Sequence, residues 1–245
     1  MKNMLLPALV WLLALAPALA QSTLAQPASE PQVRVLAPFH AINVGSGILV
    51  QLTAGHAQRV EVSAATTEEL GRLLTTVANG VLTIRYDNPV EPAAGSKENR
   101  QLRVAITADQ LMALTAGGGS SVTAAGNFAA SDLQLDISSG GSFKASEIAL
   151  NVLIVRQSSG GNVVLAGYAA RFDLRTGSGA IFNGENLQTD HSQVEASSGS
   201  SVRLAVNKDL MADASSGAII RYYGTPELTK NVSSGGSVVN IQHKK

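Results

Sequence analysis

Along the second half of the chain, apolar and polar residues alternate on either side of a recurring small-residue step. Aligned on one glycine, the step falls at Gly119, Gly140, Gly160, Gly179, Gly199, Gly217 and Gly235, spaced 21, 20, 19, 20, 18 and 18 residues apart. Three residues after these glycines stand Val122, Phe143, Val163, Phe182, Val202, Ile220 and Val238. Five before stand Leu114, Leu135, Val155, Leu174, Val194, Ala212 and Lys230, apolar until the last. Four before, the column reads Thr115, Asp136, Arg156, Arg175, Glu195, Asp213 and Asn231, polar throughout. Odd offsets are therefore expected inward and even offsets outward, the period-two signature of a strand with one buried face. A period of about 20 residues is short for a two-helix repeat and fits one coil of a strand-built solenoid.

The step itself is small for a reason. Stacked coils place equivalent positions about 4.8 Å apart, and a narrow corner of the cross-section has no room for large side chains. Glycine also reaches positive φ and lets the chain bend sharply. Ser139, Ser159, Ser178, Ser198, Ser216 and Ser234 precede six of the seven glycines. In the outward column, Asp136 is expected beside Arg156, and Arg175 beside Glu195, on neighbouring rungs. Exposed pairs of this kind contribute only about 0–1 kcal/mol.

The same pattern begins earlier. Phe39–Leu52 carries Gly47 with Ile42, Val44, Ser46 and Val50 at inward offsets, and reads as the first rung, separated from the rest by an insertion over 53–110. Within the insertion, Arg59–Ala64 alternates as a strand. Thr66 with Glu69 forms a capping box that opens a short helix toward Leu73. Asn79-Gly80 between apolar runs predicts a hairpin joining Leu74–Ala78 to Val81–Tyr86. Asp87 to Arg100 reads as a polar loop and Gln101–Thr107 as a strand. Regular coils then run over 111–241, with turns predicted at Gly126-Asn127, Gly167-Tyr168, Asn183-Gly184 and Gly224-Thr225-Pro226. Residues 242–245 read as a tail.

The N-terminus carries an export signal. Lys2 is the positive start, Leu5 to Leu15 the apolar core, and Ala18-Leu19-Ala20 the cleavage site, giving a signal peptide over 1–20. The apolar core, interrupted by Pro7 and bounded by Pro17, is short for a membrane span of about 20 residues, so no integral span is expected after cleavage. Residues 21–34 read as a flexible leader, with a short strand at Val33–Leu36. The chain has 245 residues, 45% hydrophobic and 15% charged, a net charge of +0 and no cysteine. It has room for a large core, no disulfide, and no basic patch to argue for nucleic acid.

Together, the opening Phe39–Leu52 segment, the hairpin-bearing insertion and the repeated Ser-Ser-Gly coils resemble the head GIN domain family, a group of exported bacterial proteins labelled auto-transporter adhesins around a domain of unknown function. The resemblance covers about Val35 to Ile241. It implies an all-β fold, a right-handed parallel β-solenoid of the bacterial envelope, and supplies no catalytic residues.

Chemical motifs are sparse. No carboxylate column follows the glycines, as a calcium-binding solenoid would need. No phosphate-cradling loop and no nucleophile elbow occur. His40, His56, His191 and His243 form no ligand pair. His191 could approach the serine column, although a solvated turn histidine is the simpler reading. Asp132 and Asp136 share a strand face and are the carboxylates that a polysaccharide-active enzyme on this scaffold would use. Tyr222 and Tyr223 are expected to cap the stack or, failing that, to form a small contact patch. A self-transporting protein would need a terminal barrel of alternating strands, and none is expected here.

The expected function is that of an exported, non-catalytic, adhesin-like scaffold in the periplasm or at the cell surface, with no catalytic, metal or cofactor residues assigned. Its partner would be an envelope glycan, an envelope protein, or a second copy added through the end strands. A polysaccharide-active enzyme is the alternative.

Overall fold

A computed structural model describes residues 29–88, 100–128 and 130–241. The signal peptide 1–20, the leader up to residue 28, most of the polar loop before Arg100 and the tail 242–245 lie outside the described residues. The fold is a β-solenoid of about six turns, 63% strand and 3% helix.

The first strands are β1 (Gln32–Arg34), β2 (Ala41–Val44), β3 (Leu49–Ala54) and β4 (Arg59–Ser63). Helix α1 (Thr67–Arg72) leads to β5 (Leu73–Ala78), β6 (Val81–Tyr86) and β7 (Arg103–Ala108). The regular coils follow as β8 (Ala113–Ala116), β9 (Ser121–Ala125), β10 (Asp132–Ile137), β11 (Ser142–Gln157), β12 (Asn162–Thr176), β13 (Ile181–Ala196) and β14 (Ser201–Ala214). The last elements are β15 (Ile219–Tyr223), β16 (Glu227–Val232) and β17 (Ser237–Asn240).

Parallel pairing holds the stack in the predicted register. Leu114, Leu135, Val155, Leu174 and Val194 stand above one another, as do Val122, Phe143, Val163 and Phe182. These columns are buried and form one continuous core. Inside it, the rings of Phe172 and Phe182 stack at 5.0 Å between centroids. The alternation breaks at one offset. The residue just before each aligned glycine, Gly118 or a serine, is exposed because it belongs to a turn.

Each step is a two-residue turn. Ser139 at φ 49° and Gly140 at φ 70° are both left-handed, and the Gly141 amide closes the turn on the Ser138 carbonyl at 2.8 Å. Ser159, Ser178, Ser198, Ser216 and Ser234 adopt the same conformation. Two successive positive-φ residues make a type I′ turn. A non-glycine residue there costs about 1–2 kcal/mol, least for short polar side chains.

Two expectations are corrected. Phe39–Leu52 does form a rung, as β2 and β3, but it is neither outermost nor apart from the regular coils. Strand β2 lies between β6 and β8, and β3 between β7 and β9. The insertion folds back to supply the rung beyond. Parallel strands of like pattern pair equally well in any chain order, so sequence order did not set spatial order. Likewise, Gly167-Tyr168 and Asn183-Gly184 are not turns. They lie inside β12 and β13, where shifts of register bend a continuous strand around a corner.

One end of the stack is closed by antiparallel strands. Strand β5 pairs β6 across the Asn79–Gly80 turn, β4 pairs β7, and β1 pairs β4. The leader's last residues are therefore strand, held because Gln32–Arg34 completes the β4 edge. Helix α1 starts as expected, the Thr66 hydroxyl accepting from the Glu69 amide at 3.2 Å, and it buries Leu70. At the other end, β16 and β17 form an outer rung with most residues exposed.

Candidate functional site

The column four residues before the turn glycines does more than face solvent. With the turn residues two positions later, it lines a groove of about 810 Å³ that runs along the solenoid axis. The floor carries Asp136, Arg156, Arg175, Glu195 and Asp213, and the turn side contributes Ser138, Ser158, Ser197 and Ser215. From Thr115 to Asn231 it crosses seven rungs. At about 4.8 Å per rung that is roughly 29 Å.

Charge in the groove is arranged by register. Asp136 and Arg156 are strand partners 4.0 Å apart, and Arg175 and Glu195 are partners at 3.5 Å. Between these pairs Arg156 adjoins Arg175, and beyond them Glu195 adjoins Asp213. All four paired side chains remain more than one-third exposed, so they can exchange partners with a ligand at little cost. The groove thus offers guanidinium donors, carboxylate acceptors and a row of hydroxyls. Among the described residues, no aromatic ring lines it.

Beneath the groove, Gln157 and Thr176 occupy an inward column otherwise filled by residues such as Ala116, Ile137 and Ala196. The Gln157 amide nitrogen donates to the Ile181 carbonyl at 3.0 Å. Gln157 Oε1 and Thr176 Oγ1 are buried without a hydrogen-bond partner among the described residues. They sit on paired positions of adjacent coils, where a bound water would satisfy both.

The residues weighed from sequence are distributed as follows. Asp136 lies in the groove, whereas Asp132 stands at the opposite end of β10, outside its lining. His191 does not approach the serines. It lies within β13, six residues before Ser197, and its ring pairs with Asp209. Tyr222 and Tyr223 are buried, so they form no exposed patch; the Tyr223 hydroxyl donates to Glu185 at 2.9 Å. Among the described residues, no three acidic or histidine side chains gather to hold a metal ion.

A second polar cluster was missed from sequence. At the corner between β13 and β14, Asp190 accepts from Lys208 at 2.8 Å, Asn207 at 3.2 Å and Tyr168 at 3.1 Å. Lys208 first, then Asn207, hold its carboxyl down to about 2. In return the same carboxylate raises the Lys208 ammonium and the Tyr168 phenol. The donors come from the two flanking coils, Tyr168 from β12 and Asn207 and Lys208 from β14, and the coils differ in length, so no fixed spacing announces them.

Solved structures share the fold. A "putative adhesin" from Bacteroides fragilis superposes with a TM-score of 0.78 at 16% identity, covering 86% of this chain and 96% of that one. A second "putative adhesin", from Parabacteroides distasonis, gives 0.69 at 15% identity, with the same coverage. A "putative lipid binding protein" from P. distasonis gives 0.66 at 17% identity, again covering 86% and 96%. No curated protein matches the sequence. Among the described residues, no helix is long and apolar enough to cross a membrane. Residues 38–226, from just before β2 to just before β16, match the family described as "Putative auto-transporter adhesin, head GIN domain", and the chain belongs to that family.

Proposed function

We propose that this protein is an exported, non-catalytic binding module of the bacterial envelope, and that its axial groove holds a linear, hydroxyl-rich glycan. The observation that carries the reading is the continuity of the groove across seven rungs. A repeat scaffold that presents the same polar wall at each step suits a polymer better than a compact ligand. An extended peptide rises about 3.4 Å per residue and would fall out of step with rungs about 4.8 Å apart. Pyranose units are longer and present hydroxyls at each step to the arginine and serine columns. Without aromatic platforms, recognition rests on hydrogen bonds and charge.

The N-terminal signal pattern and the adhesin description of the family support an envelope location, periplasmic or at the cell surface. A second copy is the less favoured partner. At the open end Lys230 occupies the inward column above Ala212, and an inward-pointing charge blunts an edge against strand addition.

The enzymatic alternative draws on the same groove, since Glu195 and Asp213 stand on adjacent rungs beside Arg175. Against it, the groove is open along its length and water reaches both sides, whereas catalysis by paired carboxylates relies on an enclosed, preorganised site. Binding of purified envelope polysaccharides, with turnover assayed in parallel, tests the two readings. The binding reading expects retention without cleavage, weakened at least about tenfold in Arg156→Ala/Arg175→Ala by the lost charge-assisted hydrogen bonds. Cleavage abolished by Asp213→Asn would establish the alternative.

A further inference from the structure

We infer that the wall on the other side of the turn ridge carries a binding site for a tetrahedral oxyanion, a phosphate or sulfate ester group, built around Arg203 and Arg221. The two arginines are strand partners on β14 and β15, four residues after their turn glycines, and so stand about one rung apart. Like charges directly opposite destabilise a sheet. Arg156 and Arg175 are also stacked, and each has its own carboxylate. Among the described residues, neither Arg203 nor Arg221 has a carboxylate within ion-pair distance. The Glu185 carboxylate accepts from the Tyr223 hydroxyl at 2.9 Å and, among the described residues, forms no ion pair with either arginine.

Arg203 borders a depression of about 240 Å³ whose lining includes Asn162, Asn183, Ser201 and Ile181. That lining contains donors and no acidic side chain. The Asn183 side-chain oxygen already accepts from the Glu185 amide at 3.3 Å, which leaves its NH₂ group to donate outward. The Arg203 fork, an amide and a hydroxyl at the depression, with Arg221 on the adjoining rung, match a group with three or four acceptor oxygens and a charge near −2. Ile181, 52% exposed, gives the depression an apolar side against which the carbon body of an ester can rest. The site is separate from the axial groove and does not depend on what that groove binds.

The test compares the purified protein with Arg203→Gln/Arg221→Gln, by thermal melting and calorimetric titration. Sodium phosphate and sodium sulfate are set against sodium chloride at equal ionic strength, and phosphatidate vesicles against phosphatidylcholine vesicles. Saturable binding of either oxyanion, weakened at least about tenfold in the double variant, supports the site. Binding to phosphatidate vesicles alone, lost in the double variant, supports it with a lipid-borne ester as the source. In chloride the double variant is expected to melt at or above the parent temperature, because repulsion is relieved. A variant that melts well below the parent in chloride, binding that is unchanged in the variant, or no binding to phosphate, sulfate or phosphatidate would each overturn the assignment.

Discussion

The backbone amide of Gly160 donates to the carbonyl oxygen of Ser178, 3.1 Å away in the next coil. The same bond links every neighbouring pair of turns from Gly47 to Ser234. A ladder of left-handed turns therefore runs from the Gly47 rung to the Ser234 rung, parallel to the strand ladders. It offsets the conformational cost of each serine at positive φ and sets the ridge beside which the axial groove lies.

Two adjacent glycines separate backbone strain from crowding. Gly160 has φ 72° and open space where a Cβ would project, so Gly160→Ala pays only for the left-handed backbone, about 1–2 kcal/mol. At Gly161 a Cβ would collide with the Ile137 carbonyl oxygen. Gly161→Ala should cost more, roughly 2–4 kcal/mol, because main chain must move. Urea denaturation of both variants checks the order. Equal losses, or a larger loss at Gly160, would contradict the account of the turn.

Acid should weaken the corner held by Asp190. Its folded pKa, about 2, lies below the ordinary carboxylate range. The stabilisation is complete above that range and is lost as pH falls from about 4 toward 2. Lys208 and Tyr168 are shifted upward, so their share is present at neutral pH and is lost only at alkaline pH as it climbs through their raised values. In Asp190→Asn, the acid limb of stability against pH should be shallower than in the parent protein. Superimposable acid limbs would show that the cluster does not contribute.

The open end depends on Lys230. Replacing it with Val extends the apolar inward column to the last rung, beside the exposed Val232 of the same strand. Lys230→Val should therefore associate with rising concentration in sedimentation velocity, while the parent protein stays monomeric. A parent protein that already associates, with no further change in Lys230→Val, would restore end-to-end pairing as the partner mode.

Much of this was legible in the sequence because one physical rule repeats. Small residues at the corner and alternating burial along the walls gave the register of Leu135, Val155 and Leu174 without reference to coordinates. Asn79-Gly80 and Thr66 were readable because turn and cap chemistry is local. What escaped was set by contacts between coils. Nothing in Phe39–Leu52 says that β6 and β7 stack outside it. The bends at Gly167 and Gly184 look like turns until the strand is seen to continue through them. The groove was half visible: the column from Asp136 to Asp213 read correctly as solvated, with its two ion pairs, but its concavity comes from the adjoining turn ridge. The Asp190 cluster depends on coil lengths that vary from 18 to 21 residues, whereas the Arg203–Arg221 stack lies in a fixed column, four residues after the turn glycines, whose unpaired charge only the structure shows.

The most direct test of the groove is site-specific photocrosslinking in intact cells. A photoreactive residue is placed at Ser158, on the groove, or at Gln188, an exposed position of β13 outside its lining. Glycan adducts at Ser158 that are absent at Gln188, and that disappear in Arg156→Ala/Arg175→Ala, are the predicted result. Adducts equally abundant at both positions, or Ser158 crosslinked only to a second copy of the chain, would contradict it.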